Sequence, residues 1–142
     1  MTYATQNDLV TRYGIGLLVE LTDRAEEPTG EIDAQVVEKA ASGTDALIDG
    51  YLQGRYVLPM SATPPLVREL AEAITIYKLH RYTPSEKIVD EHKAALGTLD
   101  KVAKGVVRLP IAGVEPAVKP GKGVRVTDRE RPLTAASLKG FI

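Results

Sequence analysis

Cysteine and tryptophan are absent from this 142-residue chain, and there is a single phenylalanine. Without cysteine there can be no disulfide, no thiol nucleophile and no cysteine-ligated zinc. No apolar run reaches about eighteen residues, the minimum for a membrane-spanning helix. No basic segment leading into an apolar one opens the sequence, so a secretory signal is not expected. Histidine is scarce too: only His80 and His92 occur, neither with a second ligand one helical turn away. No metal site is expected from them. Net charge is almost absent at −1.

That near-neutrality hides an asymmetry. Residues 1–103 hold ten Lys/Arg against sixteen Asp/Glu, a balance of −6. Residues 104–142 hold eight Lys/Arg against Glu115, Asp128 and Glu130, a balance of +5. A basic arm beside an acidic body suits contact with nucleic acid or with another subunit.

What is present is helical periodicity. Thr5 caps a first short helix with Asp8 three residues on, and Gly14 stops it. A second runs from Ile15 to about Leu21, followed by a polar loop over Asp23–Gly30. Asp33 caps a third, carrying Val36, Val37, Ala40, Ala41, Leu47, Ile48, Tyr51 and Leu52 at helical spacing, with an interruption around Gly43-Thr44. Gly43 and Gly50 each weaken that helix by about 1 kcal/mol relative to Ala; a kink or close packing against a neighbour would account for them. Thr63 caps a fourth helix opened by Pro64. This helix is apolar on most sides, which marks a central or interface helix. A fifth spans Pro84 to Lys104, with a Thr83/Glu86 capping box and Gly105 at its end. Beyond it, Val106–Ile111 and Val124–Val126 read as short strands.

The expected architecture is therefore mainly α: a small bundle of about five helices over residues 1–105, with an extended basic C-terminal arm over 106–142 containing one or two short strands.

Candidate chemistry is thin. Phosphate-cradling and nucleophile-elbow motifs are missing. Gly121-Lys122-Gly123 lacks the strand–loop–helix setting that a phosphate loop requires. A calcium-loop alignment of the Asp23–Asp33 stretch puts Ala25 and Val36 where ligand oxygens are needed. Asp45 and Asp49 share a helix face and read as an acid–base pair, as a solvated face, or as salt-bridge partners of a nearby arginine such as Arg55. Tyr51, Arg55 and Tyr56 cluster at the end of the third helix. They read equally as an interface patch, since Tyr and Arg are enriched at binding hot spots, or as tyrosines closing the core beside a paired arginine. In the arm, Lys119, Lys122, Arg125, Arg129 and Arg131 suit phosphate contact. Phe141 is the arm's one aromatic, so base stacking is poorly supported.

The order of motifs carries a resemblance. Tyr3-Ala4-Thr5, Asp8-Leu9-Val10 and Arg12-Tyr13-Gly14 open it. Leu21-Thr22-Asp23-Arg24 and Gly30-Glu31-Ile32-Asp33 follow. Then come Ile48-Asp49-Gly50-Tyr51-Leu52, Gly54-Arg55-Tyr56, Leu58-Pro59 and Pro64-Pro65-Leu66. Arg129, Arg131, Leu133-Thr134 and Leu138-Lys139-Gly140-Phe141 close it. In this order the chain resembles the Mu-like phage and prophage family of head–tail joining (neck, or adaptor) proteins. Its Asp23–Gly30 loop is poorer in Asp and Gly than in relatives, so no ion binding is carried over.

The resemblance implies a helical structural subunit, without enzymatic activity or cofactor, in a connector ring at the virion neck. Its implied partners are further copies of itself, the portal and the tail proteins, after assembly in the bacterial host cytoplasm. Non-specific DNA contact in the ring lumen is compatible with it, and no membrane contact is implied. Tyr51, Arg55, Tyr56, Arg125, Arg129 and Arg131 are the expected interface residues. The alternative is a nucleic-acid-binding accessory protein acting through the basic arm.

Overall fold

The computed structural model describes residues 2–110, which form five helices: α1 (Gln6–Tyr13), α2 (Ile15–Thr22), α3 (Ala34–Leu52), α4 (Pro65–Leu79) and α5 (Glu86–Ala103). Arg125, Arg129, Arg131 and the Val124–Val126 strand lie outside the described residues, as does most of the proposed arm.

Local chemistry sets most helix ends. The Thr5 hydroxyl accepts the Asp8 N–H while the Asp8 carboxylate accepts the Thr5 N–H, a complete capping box. Asp33 caps α3 through the Gln35 N–H. The end of α5 is a Schellman motif: the N–H of Gly105 donates to Val102 O and that of Val106 to Lys101 O. Gly105 supplies the positive φ, 78°, that this turn demands.

Two helix starts differ from expectation. Pro65 disfavours helical backbone at the residue before it, so Pro64 is extended with ψ 148° and itself holds the cap position. Thr63 is thereby one residue too early to cap. Likewise Ser85 stays extended with ψ 153°, and α5 starts at Glu86. Thr83 then lies two residues before the cap, and the Thr83/Glu86 box does not form.

α3 runs without interruption. Its buried positions are Val37, Ala41, Thr44, Ile48 and Leu52, so Thr44 is the missing member of the apolar stripe. Its hydroxyl donates to Ala40 O and accepts from Thr75 on α4, both at 3.0 Å. A buried hydroxyl so satisfied carries little penalty.

α4 is the central helix, packed against both α3 and α5. Val67, Leu70, Ala71, Ala73 and Ile74 join Ile48, Leu52, Tyr56, Leu99 and Val102 in one core region. Ile76 and Leu79 join Leu9, Leu18, Val37 and Ile88 in a second. Complete burial of a side chain such as Ile74 contributes about 1.5–3 kcal/mol. α1 is tied to both neighbours by Arg12, whose guanidinium reaches Glu69 O at 3.0 Å, Glu72 at 3.1 Å and Glu91 at 3.7 Å.

Among the described residues there is no strand. Over 106–110, where one was expected, the Schellman turn engages the N–H groups of Val106 and Val107, and that of Leu109 donates to the Tyr56 hydroxyl. Leu109 is itself buried in the core, so the body reaches past the boundary drawn at residue 105. No described helix is long and apolar enough to cross a membrane.

Candidate interaction surface

The bundle has two poles. At one, Arg24 from the loop after α2 donates to Leu79 O at the end of α4. A cleft there is lined by Asp33 and Gln35 at the start of α3, by Leu79, and by three cations, Arg24, Lys39 and Lys78. At the other pole, the end of α3 meets the end of α5. α3 has 19 residues, so the poles lie about 28 Å apart at 1.5 Å rise per residue.

Arg55 belongs to the second pole. Its Nε donates to Ala103 O at 2.9 Å and its Nη2 to Lys104 O at 3.0 Å. A cation on these terminal carbonyls complements the negative end of the helix dipole. Tyr56 is buried, and its hydroxyl accepts the Leu109 N–H at 3.1 Å. Tyr51 is partly buried against the same core. Of the two readings of Tyr51, Arg55 and Tyr56, these contacts fit the one in which the tyrosines close the core beside an engaged arginine: Arg55 and Tyr56 join α3 to α5 within one chain. The exposed neighbours are instead Val57 and Val106.

Asp45 and Asp49 do share a face, but Tyr3 occupies both. Its N–H donates to Asp45 at 3.0 Å and its hydroxyl to Asp49. Burial pushes the Asp45 carboxyl above its ordinary pKa and raises the Tyr3 phenol as well. Arg55 is turned to α5, so neither the expected ion pair nor an Asp45–Asp49–Arg55 acid–base set is assembled. Asp23 holds its loop closed through the Gly30 N–H and the Thr29 hydroxyl, and the Gly30 bond draws its carboxyl below the usual range. His80 ends α4, with Nδ1 2.7 Å from Ile76 O. His92 stacks on Tyr77 with ring centroids 3.8 Å apart. Among the described residues no three His, Asp or Glu side chains are grouped to hold a metal ion.

The acidic excess of the body is local. Glu20, Asp23, Glu26, Glu27, Glu31, Asp33 and Glu38 face only Arg24 as a cation in that stretch, a balance of −6, and the rest of residues 1–103 is balanced. The fold sets Lys39, Lys78 and Arg81 at the same pole, so the excess of that stretch is partly offset there. A cleft of about 490 Å³ opens there, with Leu17, Leu21 and Tyr82 in its lining beside two acids, Glu20 and Asp23, and two cations, Arg24 and Arg81. Tyr82 is 87% exposed. Sequence reading passed over this residue; the signal was an aromatic placed between the end of α4 and the Thr83-Pro84 break.

Comparison with known proteins gives concordant matches. The family described as "Bacteriophage Mu, Gp36" matches residues 3–128. Gene product J of Escherichia phage Mu is 31% identical over 142 residues, the whole of both chains. The Mu-like prophage FluMu protein gp36 of Haemophilus influenzae is 26% identical over 140 residues, covering 99% of this chain and 98% of that one.

Proposed function

The chain belongs to the bacteriophage Mu Gp36 family, and on that premise we propose that it is a structural subunit of a tailed-phage head–tail connector. It sits at the virion neck, joins portal to tail as one copy of a ring, and catalyses no reaction. The observation that carries this reading is the family match over residues 3–128, which spans the helical body and continues into the basic segment. The body supports it in two ways. Its candidate acid–base residues are engaged in holding the fold, and its net acidic sequence is followed by a net basic C-terminal segment. A ring needs a heterologous contact in which two different faces of one subunit meet, and opposite net charge in the body and the C-terminal segment suits such a pair.

The test is to mix the purified chain with the portal protein encoded by the same phage or prophage. Mass photometry and negative-stain imaging then read the product. The proposal expects closed rings seated on the portal; a strict monomer that ignores the portal overturns it.

The charge of the C-terminal segment favours a second reading, non-specific DNA contact. It expects DNA affinity that falls steeply with salt and is lost when residues after Gly105 are removed. Absence of binding at low salt overturns it.

A further inference from the structure

We propose that the cleft between the start of α3 and the end of α4 binds a small phosphate-class dianion. The inference goes beyond the connector reading and stands independently of it.

The cleft has a volume of about 600 Å³, and its charged lining is three cations, Arg24, Lys39 and Lys78, against one carboxylate, Asp33. The local balance is therefore +2. A phosphate group carries about −1.5 to −2 at neutral pH, the charge that neutralises it.

Separate parts of the fold bring the cations together. Arg24 comes from the loop after α2, Lys39 from α3 and Lys78 from α4. Arg24 is fixed in place, with Nε donating to Leu21 O at 3.2 Å and Nη2 to Leu79 O at 3.0 Å. Lys39 and Lys78 have no ion pair among the described residues. The Lys78 ammonium lies against α3 at Gly43, 3.2 Å from where a Cβ would stand. Burial there holds its pKa below the ordinary lysine value. A cation drawn partly out of water without a counterion favours an anionic ligand. Asp33 does not supply that counterion: its carboxylate accepts the Gln35 N–H as the cap of α3.

The other acids of the Glu20–Glu38 stretch do not line this cleft. Glu20 and Asp23 line the neighbouring one, and Glu38 lines a third beside the residues before α1. They limit the size of the ligand. An extended polyanion such as duplex DNA would run into them, whereas a single phosphate stays within a site of positive balance, and salt screens exposed charges beyond about 8 Å. Val36, Ala40 and Leu79 complete the lining and suit the organic part of a phosphate ester.

The test titrates the full-length chain with sodium phosphate at constant ionic strength, read by backbone amide NMR shifts and by melting temperature. The proposal expects saturable shifts concentrated at Gln35, Lys39 and Lys78, and a melting temperature that rises with phosphate. Lys39→Gln/Lys78→Gln changes two exposed side chains; it should keep the fold and weaken binding about tenfold. Lys93→Gln, exposed on α5 and outside the lining, should bind as the wild type does. Adenosine monophosphate separates the sources: equal affinity assigns free phosphate, and tighter binding assigns a phosphate ester. Shifts that do not saturate, or that persist unchanged in Lys39→Gln/Lys78→Gln, overturn the proposal. A melting rise equal in both chains is the general exclusion effect of phosphate and also counts against it. So does a short duplex DNA that perturbs these residues where phosphate does not. None of these results bears on ring assembly, which is read separately with the portal.

Discussion

The hydroxyl of Tyr56 accepts the backbone N–H of Leu109 across 3.1 Å of buried space. Two segments 53 residues apart are thereby fixed to each other, and with them the point where the chain leaves the bundle. Arg55, one residue earlier, caps the last carbonyls of α5. The Gly-Arg-Tyr segment is thus a joint between α3 and the end of α5.

Tyr56→Phe keeps the ring's packing but leaves the Leu109 N–H buried without an acceptor. The expected loss is about 1–3 kcal/mol, read by chemical denaturation. Hydrogen exchange at Leu109 should accelerate more than exchange in the centre of α4.

The Thr44–Thr75 pair gives a double-mutant test. Thr75→Val removes the donor to a buried hydroxyl and should cost about 1–2 kcal/mol. The Thr44→Val/Thr75→Val chain removes both hydroxyls at similar volume and should be less destabilised than the sum of the single changes. Strict additivity in thermal melts would mean the two hydroxyls are not coupled.

His92 predicts a pH dependence. Burial against Tyr77, assisted by the nearby Lys78, lowers its pKa below the ordinary histidine value. The unfolded chain therefore binds the proton more readily than the folded one. This contribution is complete above the unfolded pKa of about 6.5 and declines as pH falls through it. Melting temperature should drop between about pH 7 and pH 5, and His92→Gln should flatten that drop.

Gly50 lies within α3 with no atom of the described residues within 4 Å of where a Cβ would stand. Neither a kink nor close packing among the described residues explains it. Gly50→Ala should stabilise the isolated chain by about 0.5–1 kcal/mol, read as a higher melting temperature. A simultaneous loss of assembly would mark this face as one a neighbour approaches closely.

Much of the bundle was legible in the sequence because its signals are local. Thr5 with Asp8, Asp33 with Gln35, and Gly105 act within a few residues of the ends they define. The central place of α4 followed from its breadth of apolar residues. The misreadings share a cause: each depended on an effect reaching beyond the residue concerned. Pro65 displaced the cap from Thr63 to Pro64. Thr44 looked like a gap until Thr75 met it from another helix. Arg55 read as a partner for Asp45 and Asp49, yet those carboxylates are held by Tyr3, more than forty positions away. The interface was hardest to read, because charge totals do not say where charge sits. Only the fold shows that Lys39, Lys78 and Arg81 stand beside the acidic Glu20–Glu38 stretch.

The most direct test of the connector assignment is electron cryomicroscopy of the phage particle that carries this gene, with the chain located in the density. The account predicts a closed ring of this five-helix bundle between portal and tail. Finding the chain absent from the particle, or placed only in the capsid shell or the distal tail, would contradict it.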